Sequence, residues 1–328
     1  MVKLELRTHD QLFFSLDRKV EKTFRLGCWA VFLLLLAVLV VFWEELRNPA
    51  HVEAMYHAVA GTGREQFFRA VTFLGDDEGF MLIVVLVHWC INKSVGFWTM
   101  VALLVSGGIN FTVKEIAGLP RPDIAGVVQP DNPAFPSGHT FSSLTTWGHL
   151  AARFRRPDFW VISIFIVLLI GLSRLFLGFH FPGDVLGGLV MGYLFLLLFF
   201  KLWIVLVPVV EGWSFATRLV FVLAGIFLAA MAVTVFPLLA DLIMILGFLA
   251  GGSLGYVLER QTVGFIARGS LLQHLCKMLL GGTGLALVVM LLVPAVEGSN
   301  TFTFLSFSLA SFWAFYLAPL LFVRLKLG

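Results

Sequence analysis

Charge is scarce in this sequence. Only 13% of its 328 residues are Asp, Glu, Lys or Arg, whereas 59% are hydrophobic. A soluble domain needs a more charged surface than this, so the composition excludes an ordinary soluble protein and indicates several membrane-spanning helices. The net charge is only +3, which is too small to indicate a nucleic-acid partner.

Cysteine is also rare, and carboxylates do not cluster. The three cysteines, Cys28, Cys90 and Cys276, lie in or beside apolar runs, where they fit as small buried hydrophobic residues and not as a disulfide framework. The sequence has no group of acidic residues resembling a cage for Mg²⁺. We therefore expect neither a metal ion nor another cofactor.

Long apolar runs are what the sequence has in abundance. Several of them are shorter than the roughly 20 residues that a spanning helix usually needs, and the second run is the weakest. The sixth run either ends near residue 200 or continues past Lys201 to Val210. We predict an all-α protein, a polytopic transmembrane helix bundle, with ten spans at 26–43, 79–92, 94–113, 137–152, 159–173, 185–200, 219–240, 242–258, 278–296 and 301–323.

An even number of spans places both ends of the chain on the same side of the membrane. With the N-terminus in the cytoplasm, 17 of the 23 basic residues lie on the inner side, as the positive-inside rule expects. The polar segment 1–25 lacks the layout of a cleavable signal peptide, and we interpret it as cytoplasmic or interfacial. The six outer basic residues are Arg47, Arg64, Arg69, Lys114, Arg121 and Arg174.

A cation, an imidazole and a carboxylate stand close together between two apolar runs. Arg174, His180 and Asp184 belong to the stretch Ser-Arg-Leu-Phe-Leu-Gly-Phe-His-Phe-Pro-Gly-Asp. Pro182 and the apolar run after it predict a helix start, which would place His180 and Asp184 on one face. The carboxylate would then reach one ring nitrogen and leave the other free as a base or nucleophile. Arg174 offers a planar fork for phosphate oxygens.

Two further charged stretches lie at the ends of apolar runs. Lys114 and Arg121 stand in a K-x6-RP pattern, and Ser137, Gly138 and His139 follow a proline in a PSGH pattern. Together with the SR-x5-H-x3-D pattern, these motifs resemble the type 2 phosphatidic acid phosphatase (PAP2) superfamily at all eleven defining positions. That superfamily includes lipid phosphatases, glucose-6-phosphatases, acid phosphatases and vanadium haloperoxidases. All three motifs fall on the outer side of the predicted topology.

The resemblance implies a role for each motif residue. His180 would be the nucleophile that forms a phosphohistidine, and Asp184 would orient it. His139 would protonate the leaving alkoxide and later activate water. The helix start predicted after Pro136 would also offer free backbone N–H groups to an anion. The residues expected to bind the phosphate are Lys114, Arg121, Ser137, Gly138 and Arg174.

The same resemblance predicts the domain organisation. A cytoplasmic or interfacial segment at 1–25 would precede a PAP2-like catalytic core of six helices at 26–200. About four additional transmembrane helices would occupy 201–328. That last region has a glycine at every fourth residue of one span, at Gly247, Gly251 and Gly255, which permits close helix contact within the chain or between the subunits of a homodimer.

The first outer connection is long and charged. Residues 62–78 look like a short amphipathic helix at the outer surface, capped near Thr62, which would flank a lipid entrance. A solvated connector explains the same residues equally well. Neither interpretation assigns a chemical role to any of these side chains.

We therefore expect a metal-independent phosphatase of a membrane lipid phosphate in a cell membrane, taken to be a bacterial inner membrane, with its site outside the cytoplasm. Candidate substrates are phosphatidic acid, phosphatidylglycerol phosphate, a polyprenyl diphosphate and a sphingoid phosphate. A phosphotransferase with the same site and a different acceptor is the nearest alternative. A lipid transporter is an alternative of another class, but it would place its charges at the bilayer midplane, often with repeated halves.

Overall fold

The computed structural model describes residues 18–236, 240–292 and 299–328. Within these ranges the regular structure is entirely helical, which confirms the predicted all-α fold. The N-terminal segment predicted at 1–25 lies mostly outside the described residues. The described α-helices are α1 (Arg18–Val41), α2 (Trp43–Leu46), α3 (Pro49–His57), α4 (Gly63–Phe73), α5 (Asp77–Leu86), α6 (Lys93–Ala117), α7 (Gly138–Phe154), α8 (Pro157–Phe176), α9 (Pro182–Gly212), α10 (Phe215–Val235), α11 (Ala240–Thr262), α12 (Leu271–Leu292), α13 (Asn300–Phe312) and α14 (Ala318–Arg324).

Seven of the ten predicted spans are helices that are long and apolar enough to cross a membrane, judged over the described ranges. They are α6, α8, α9, α10, α11, α12 and the continuous run formed by α13 and α14. The other three do not meet this criterion as single helices. Helix α7 has 17 residues, about 25 Å of helix, α5 has 10 residues before a π-helical turn, and α1 is followed by a bend of 84°.

Helix α9 decides between the two interpretations of the sixth span. It begins at Pro182, whose fixed φ suits the first helical turn, and runs for 31 residues past Lys201 to Gly212. The longer interpretation is therefore correct. At its start, the carboxylate of Asp184 accepts the backbone N–H of Phe181 at 2.9 Å, as an acidic residue in the first turn does in a capping box.

The chain packs into two compact units, and each is discontinuous in sequence. The first comprises Met1–Phe80 and Ile109–Val209, and the second comprises Met81–Gly108 and Val210–Gly328. All the motif residues belong to the first unit. The sequence predicts a division near residue 200 instead. That residues 26–200 form the catalytic core stays a prediction.

The second unit takes up residues 81–108 because their aromatic side chains are buried among the C-terminal helices. Trp89 and Phe97 share one hydrophobic cluster with Phe315 and Phe322. The indole N–H of Trp89 also donates a hydrogen bond of 2.8 Å to the carbonyl oxygen of Ala314. Sequence patterns do not reveal such pairings, since the partners lie more than two hundred residues apart.

Glycines bring α11 and α13 into close contact within the second unit. A Cβ at Gly247 would lie 2.7 Å from the carbonyl oxygen of Phe304, and one at Gly251 would overlap the carbonyl oxygen of Ser308. Gly255, the third glycine of the stripe, packs against the same C-terminal region. The stripe is therefore used inside the chain, and it gives no support to a homodimer.

The close contact at Gly251 predicts a loss of stability on substitution. Gly251→Ala should lower the thermal midpoint of the detergent-solubilised protein, because overpacking of this kind costs about 1–3 kcal/mol. Gly225→Ala in α10 is the matched control, since nothing lies within 4 Å of the position that its Cβ would take. Equal midpoints for the two variants, measured by size-exclusion chromatography after heating, would contradict the assigned contact.

Candidate active site

The predicted site residues lie at the ends of four successive helices. Lys114 is in the last turn of α6 and Arg174 in the last turn of α8. His139 and Asp184 are in the first turns of α7 and α9. Because connected helices alternate in direction, a last turn and the next first turn lie at the same end of the bundle.

These helix ends converge on one imidazole. The positive charges of Arg174, Arg121 and Lys114 all act on His180, and so does His139. Burial first, and then these charges, hold the pKa of His180 well below its usual range. The imidazole is therefore neutral, and its nucleophilic lone pair remains available.

Asp184 faces His180 as predicted, but its main hydrogen bonds go elsewhere. Oδ2 of Asp184 lies 3.5 Å from Nδ1 of His180, which is long for a hydrogen bond. The same Oδ2 accepts the backbone N–H of Phe181, and Oδ1 accepts a hydrogen bond from Arg47. The carboxylate is completely buried, so these two donors fix its position beside the ring.

The contacts of His180 distinguish its two ring nitrogens. Nη1 of Arg121 lies 3.3 Å from Nε2 of His180. A guanidinium can only donate, so Nε2 must carry the lone pair and Nδ1 must carry the proton. The proton on Nδ1 then points toward Asp184, and Nε2 faces Arg121. Of the two nitrogens, Nε2 is the one placed to act as a nucleophile.

Lys114 and Arg121 are held by the loop that joins α6 to α7. Nζ of Lys114 donates to the carbonyl oxygen of Pro133 and, at 3.2 Å, to that of Ala134. Nε of Arg121 donates to the carbonyl oxygen of Asn132 at 2.9 Å, and its Nη2 donates to the Asn132 side chain at 2.5 Å. One short stretch of loop therefore positions both cations.

Arg174 is held by an aromatic ring and a hydroxyl. Its guanidinium lies 4.3 Å from the centre of the Phe179 ring, and Nη1 donates to Oγ1 of Thr72 at 2.7 Å. In the described part of the chain, the hydrogen bonds of all three motif cations go to such neutral acceptors and not to carboxylates. Their charge is therefore available to an anion.

The start of α7 differs from the expectation at Ser137. The backbone N–H of Ser137 donates to the carbonyl oxygen of Asp184 at 2.9 Å, so it ties the second motif to the third and is not free for an anion. Its hydroxyl accepts a hydrogen bond of 3.1 Å from Thr140. Gly138 is the first residue of the helix, where N–H groups lack intrahelical partners, and a Cβ there would lie 3.1 Å from the Asn110 amide oxygen.

Arg47 belongs to the site although no motif includes it. Its side chain is only 12% exposed, and it pairs with the buried carboxylate of Asp184. Nη2 donates to the carbonyl oxygen of Pro120 at 2.9 Å, and the guanidinium lies 4.5 Å from the centre of the Phe181 ring. In the sequence, an arginine just after an apolar run is ordinarily an interfacial anchor, so sequence reasoning missed it.

Asp76 is the second residue that sequence reasoning missed. Its Oδ1 lies 2.6 Å from Nε2 of His139, and this hydrogen bond is the main cause that lowers the pKa of Asp76. Asp76 stands between α4, which forms after Thr62 as predicted, and α5. The segment 62–78 therefore contacts the site and is more than a solvated connector. Among the described residues, no three His, Cys, Asp or Glu side chains lie close enough together to hold a metal ion.

The arrangement of three cations around a neutral imidazole, in a helical membrane protein, indicates an integral-membrane enzyme that acts on anionic esters. The family model for the PAP2 superfamily matches residues 95–207, and the model "PAP2 superfamily phosphatase, transmembrane extension" matches residues 243–328. The chain belongs to the PAP2 superfamily. It is accordingly a multi-pass membrane protein and a phosphoric ester hydrolase.

Among curated proteins, the chain is similar to phosphatidylglycerophosphatase B of Bacillus subtilis, with 31% identity over 143 residues that cover 40% of this chain and 69% of that protein. It is also 38% identical to undecaprenyl-diphosphatase BcrC of the same organism over 109 residues, which cover 31% of this chain and 55% of BcrC. Among solved structures, the PAP2 type phosphatidylglycerolphosphate phosphatase of Bacillus subtilis matches with a TM-score of 0.43 and 22% identity, over 53% of this chain and 92% of that one.

The pairing of Arg47 with Asp184 predicts a large effect of removing the arginine. Arg47→Ala should lower both phosphate release and thermal stability, because an unpaired buried carboxylate costs about 3–5 kcal/mol. Arg64→Ala is the matched control, since Arg64 is exposed at the start of α4. If Arg47→Ala matched the control in thermal midpoint and in specific activity, the assigned ion pair would be wrong.

The low pKa of His180 predicts how activity depends on pH. An ordinary histidine is protonated as the pH falls through 6.5, but the buried His180, with its pKa well below that value, keeps its lone pair there. The acid limb of kcat/KM, which reports the free enzyme, should therefore lie well below pH 6.5. Assays from about pH 4 to about pH 9, with a return to neutral pH to check for inactivation, would test this; half-maximal kcat/KM near pH 6.5 would oppose it.

Proposed function

We propose that this protein hydrolyses a membrane lipid phosphate through a phosphohistidine on His180, at the extracytoplasmic face of the membrane. One observation carries the proposal. The unprotonated Nε2 of His180 lies 3.3 Å from Arg121, and the charges of Arg174 and Lys114 also act on this ring. Among the described residues, the hydrogen bonds of these three cations go to neutral acceptors. A phosphate bound by these cations would bring its phosphorus to the nucleophilic nitrogen, and the same cations would stabilise the equatorial oxygens of the transition state.

The first chemical step is the transfer of the phosphoryl group to the enzyme. Nε2 of His180 attacks phosphorus, the N–P bond forms, and the bond between phosphorus and the leaving oxygen breaks. His139 gives a proton to that oxygen, so the lipid leaves as an alcohol or as a shorter phosphate. The carboxylate of Asp184, on the side of Nδ1, stabilises the positive charge that develops on the His180 ring.

The second step restores the enzyme. A water molecule gives a proton to His139, its oxygen bonds to phosphorus, and the N–P bond breaks. Phosphate is released, and His180 recovers its lone pair on Nε2. No step requires a metal ion, because Lys114, Arg121 and Arg174 carry the charge that neutralises the phosphoryl oxygens.

A lipid substrate suits the position of the site. Lys114, His139, Arg174 and Asp184 all lie in terminal turns of helices, so the site is near the membrane boundary, where the headgroup of an amphiphile lies. The names of the two curated relatives, a phosphatidylglycerophosphatase and an undecaprenyl-diphosphatase, also support a lipid substrate. Phosphatidic acid, phosphatidylglycerol phosphate, a polyprenyl diphosphate and a sphingoid phosphate are the candidates to test.

The distribution of basic residues supports an extracytoplasmic site. Only 6 of the 23 basic residues lie on the predicted outer side, and three of those six are the motif cations Lys114, Arg121 and Arg174. The positive-inside rule disfavours basic residues on the outer side of the membrane, and phosphate binding would explain why these three lie there.

The covalent mechanism and the sidedness can be tested in one experiment with membrane vesicles. Right-side-out vesicles containing the protein should release phosphate from added short-chain lipid phosphates in the presence of EDTA, whereas sealed inverted vesicles should release little. His180→Ala should lower release to the background of empty vesicles in both orientations. A phosphate label from the substrate should remain on the acid-quenched wild type as an acid-labile adduct.

His149→Gln is the control for a histidine outside the motifs, since His149 is buried in α7 among Phe199, Phe200 and Trp203. It should retain the label. Full turnover by His180→Ala would reject the phosphohistidine, and release restricted to inverted vesicles would reverse the assigned orientation.

A further inference from the structure

The segment between α4 and α5 provides a carboxylate for the second histidine of the site. We propose that Asp76 is the positioning residue of His139, and that it selects Nδ1 of His139 as the nitrogen that exchanges protons with the leaving oxygen and with water. This inference rests on the proposed function. Asp76 lies outside the three motifs and before residue 95, where the match to the family model begins.

The contact between the two side chains determines the tautomer of His139. Oδ1 of Asp76 lies 2.6 Å from Nε2 of His139. The lowered pKa of Asp76 keeps its carboxyl group ionised near neutral pH, and an ionised carboxylate can only accept a hydrogen bond. Nε2 must therefore carry a proton, which leaves Nδ1 as the nitrogen that gains and loses one.

Charge explains why a carboxylate is needed at this position. The groups that act on His139 are Arg174 from α8, Arg121 from the loop before α7, His180 from the loop before α9, and Asp76. Two of these are permanent cations, and both oppose a protonated imidazole. Asp76 is the anion in contact with the ring, so it supports the protonated form that must donate to the leaving oxygen.

Packing holds the segment against the ring. A Cβ at Gly75 would lie 3.0 Å from Cδ2 of His139 and 2.9 Å from Cγ2 of Ile170. The backbone before Asp76 is therefore in direct contact with the imidazole and with α8. Thr72, one turn earlier, accepts the hydrogen bond of Arg174 at 2.7 Å. The same short segment thus contacts one phosphate-binding cation and one proton-transfer group.

The proton balance follows from this assignment. In the first step, the proton on Nδ1 moves to the leaving oxygen as its bond to phosphorus breaks, and His139 becomes the neutral tautomer with its remaining proton on Nε2. In the second step, Nδ1 takes a proton from water as the water oxygen bonds to phosphorus and the N–P bond breaks. The proton on Nε2 remains with Asp76 as its acceptor throughout.

The test uses two substrates whose leaving groups differ in their need for a proton. Asp76→Asn should lower kcat/KM for dihexanoyl phosphatidic acid by about 100-fold, which lies within the range for general acid catalysis. For p-nitrophenyl phosphate the loss should be below about tenfold, because the nitrophenolate leaves without protonation. A purely structural defect would lower both values equally. Asp76→Asn should also give a burst of nitrophenolate equal to the enzyme concentration, since the second step would become slow.

Glu78→Gln is the matched control, because Glu78 is an exposed carboxylate two residues further along, and both of its kcat/KM values should equal those of the wild type. Asp76→Glu retains the carboxylate and should show the same leaving-group dependence to a smaller degree, which keeps the test valid if Asp76→Asn does not fold. Equal losses with both substrates, or no loss, would overturn the role of Asp76. A wild type without phosphohydrolase activity, or one unaffected by His180→Ala, would instead overturn the proposed function.

Discussion

The structure has to hold three cations close to one buried imidazole against their mutual repulsion. Like charges a few ångströms apart inside a protein repel by several kcal/mol at an effective dielectric constant of about 20. The fold provides for this by fixing each cation with carbonyl oxygens, a hydroxyl or an aromatic face, while Asp184 is already paired with Arg47. The remaining positive charge favours an anion at this point. Burial, and after it the same charge, lowers the pKa of His180.

In the proposed mechanism, each of the two histidines has a carboxylate on the side away from its reactive nitrogen, but the two carboxylates differ. Asp184 is completely buried, caps the start of α9 and faces Nδ1 of His180 at 3.5 Å. Asp76 is partly exposed and contacts Nε2 of His139 at 2.6 Å. In the proposed mechanism, the deeply buried carboxylate stands beside the nucleophile, and the partly exposed one stands beside the group that gains and loses a proton. The two environments thus suit two different tasks.

The sequence motifs do not include every residue of the site, since part of the site lies before residue 95. Arg47 and Asp76 contact Asp184 and His139, yet they lie outside both regions that match the family models. The short stretches that follow α2 and α4 are therefore part of the site and not merely connectors. The C-terminal region is built differently, since α11 and α13 pack through glycines within their own unit, and this packing stabilises the fold without contributing a charged side chain to the site described above.

The sequence by itself determined the all-helical membrane fold, the helix start at Pro182 and the pattern of cations and histidines. These features depend on apolar run length, on the fixed φ of proline and on spacings within a turn or two, all of which are local. It did not reveal Arg47 or Asp76 as partners, the bonding of the Ser137 N–H, the full length of α9 or the partner of the glycine stripe. Those features depend on which surfaces meet after folding, and a pairing across 137 residues, such as Arg47 with Asp184, leaves no local pattern. Only the tertiary structure, by bringing distant helix ends within hydrogen-bonding distance, decided them.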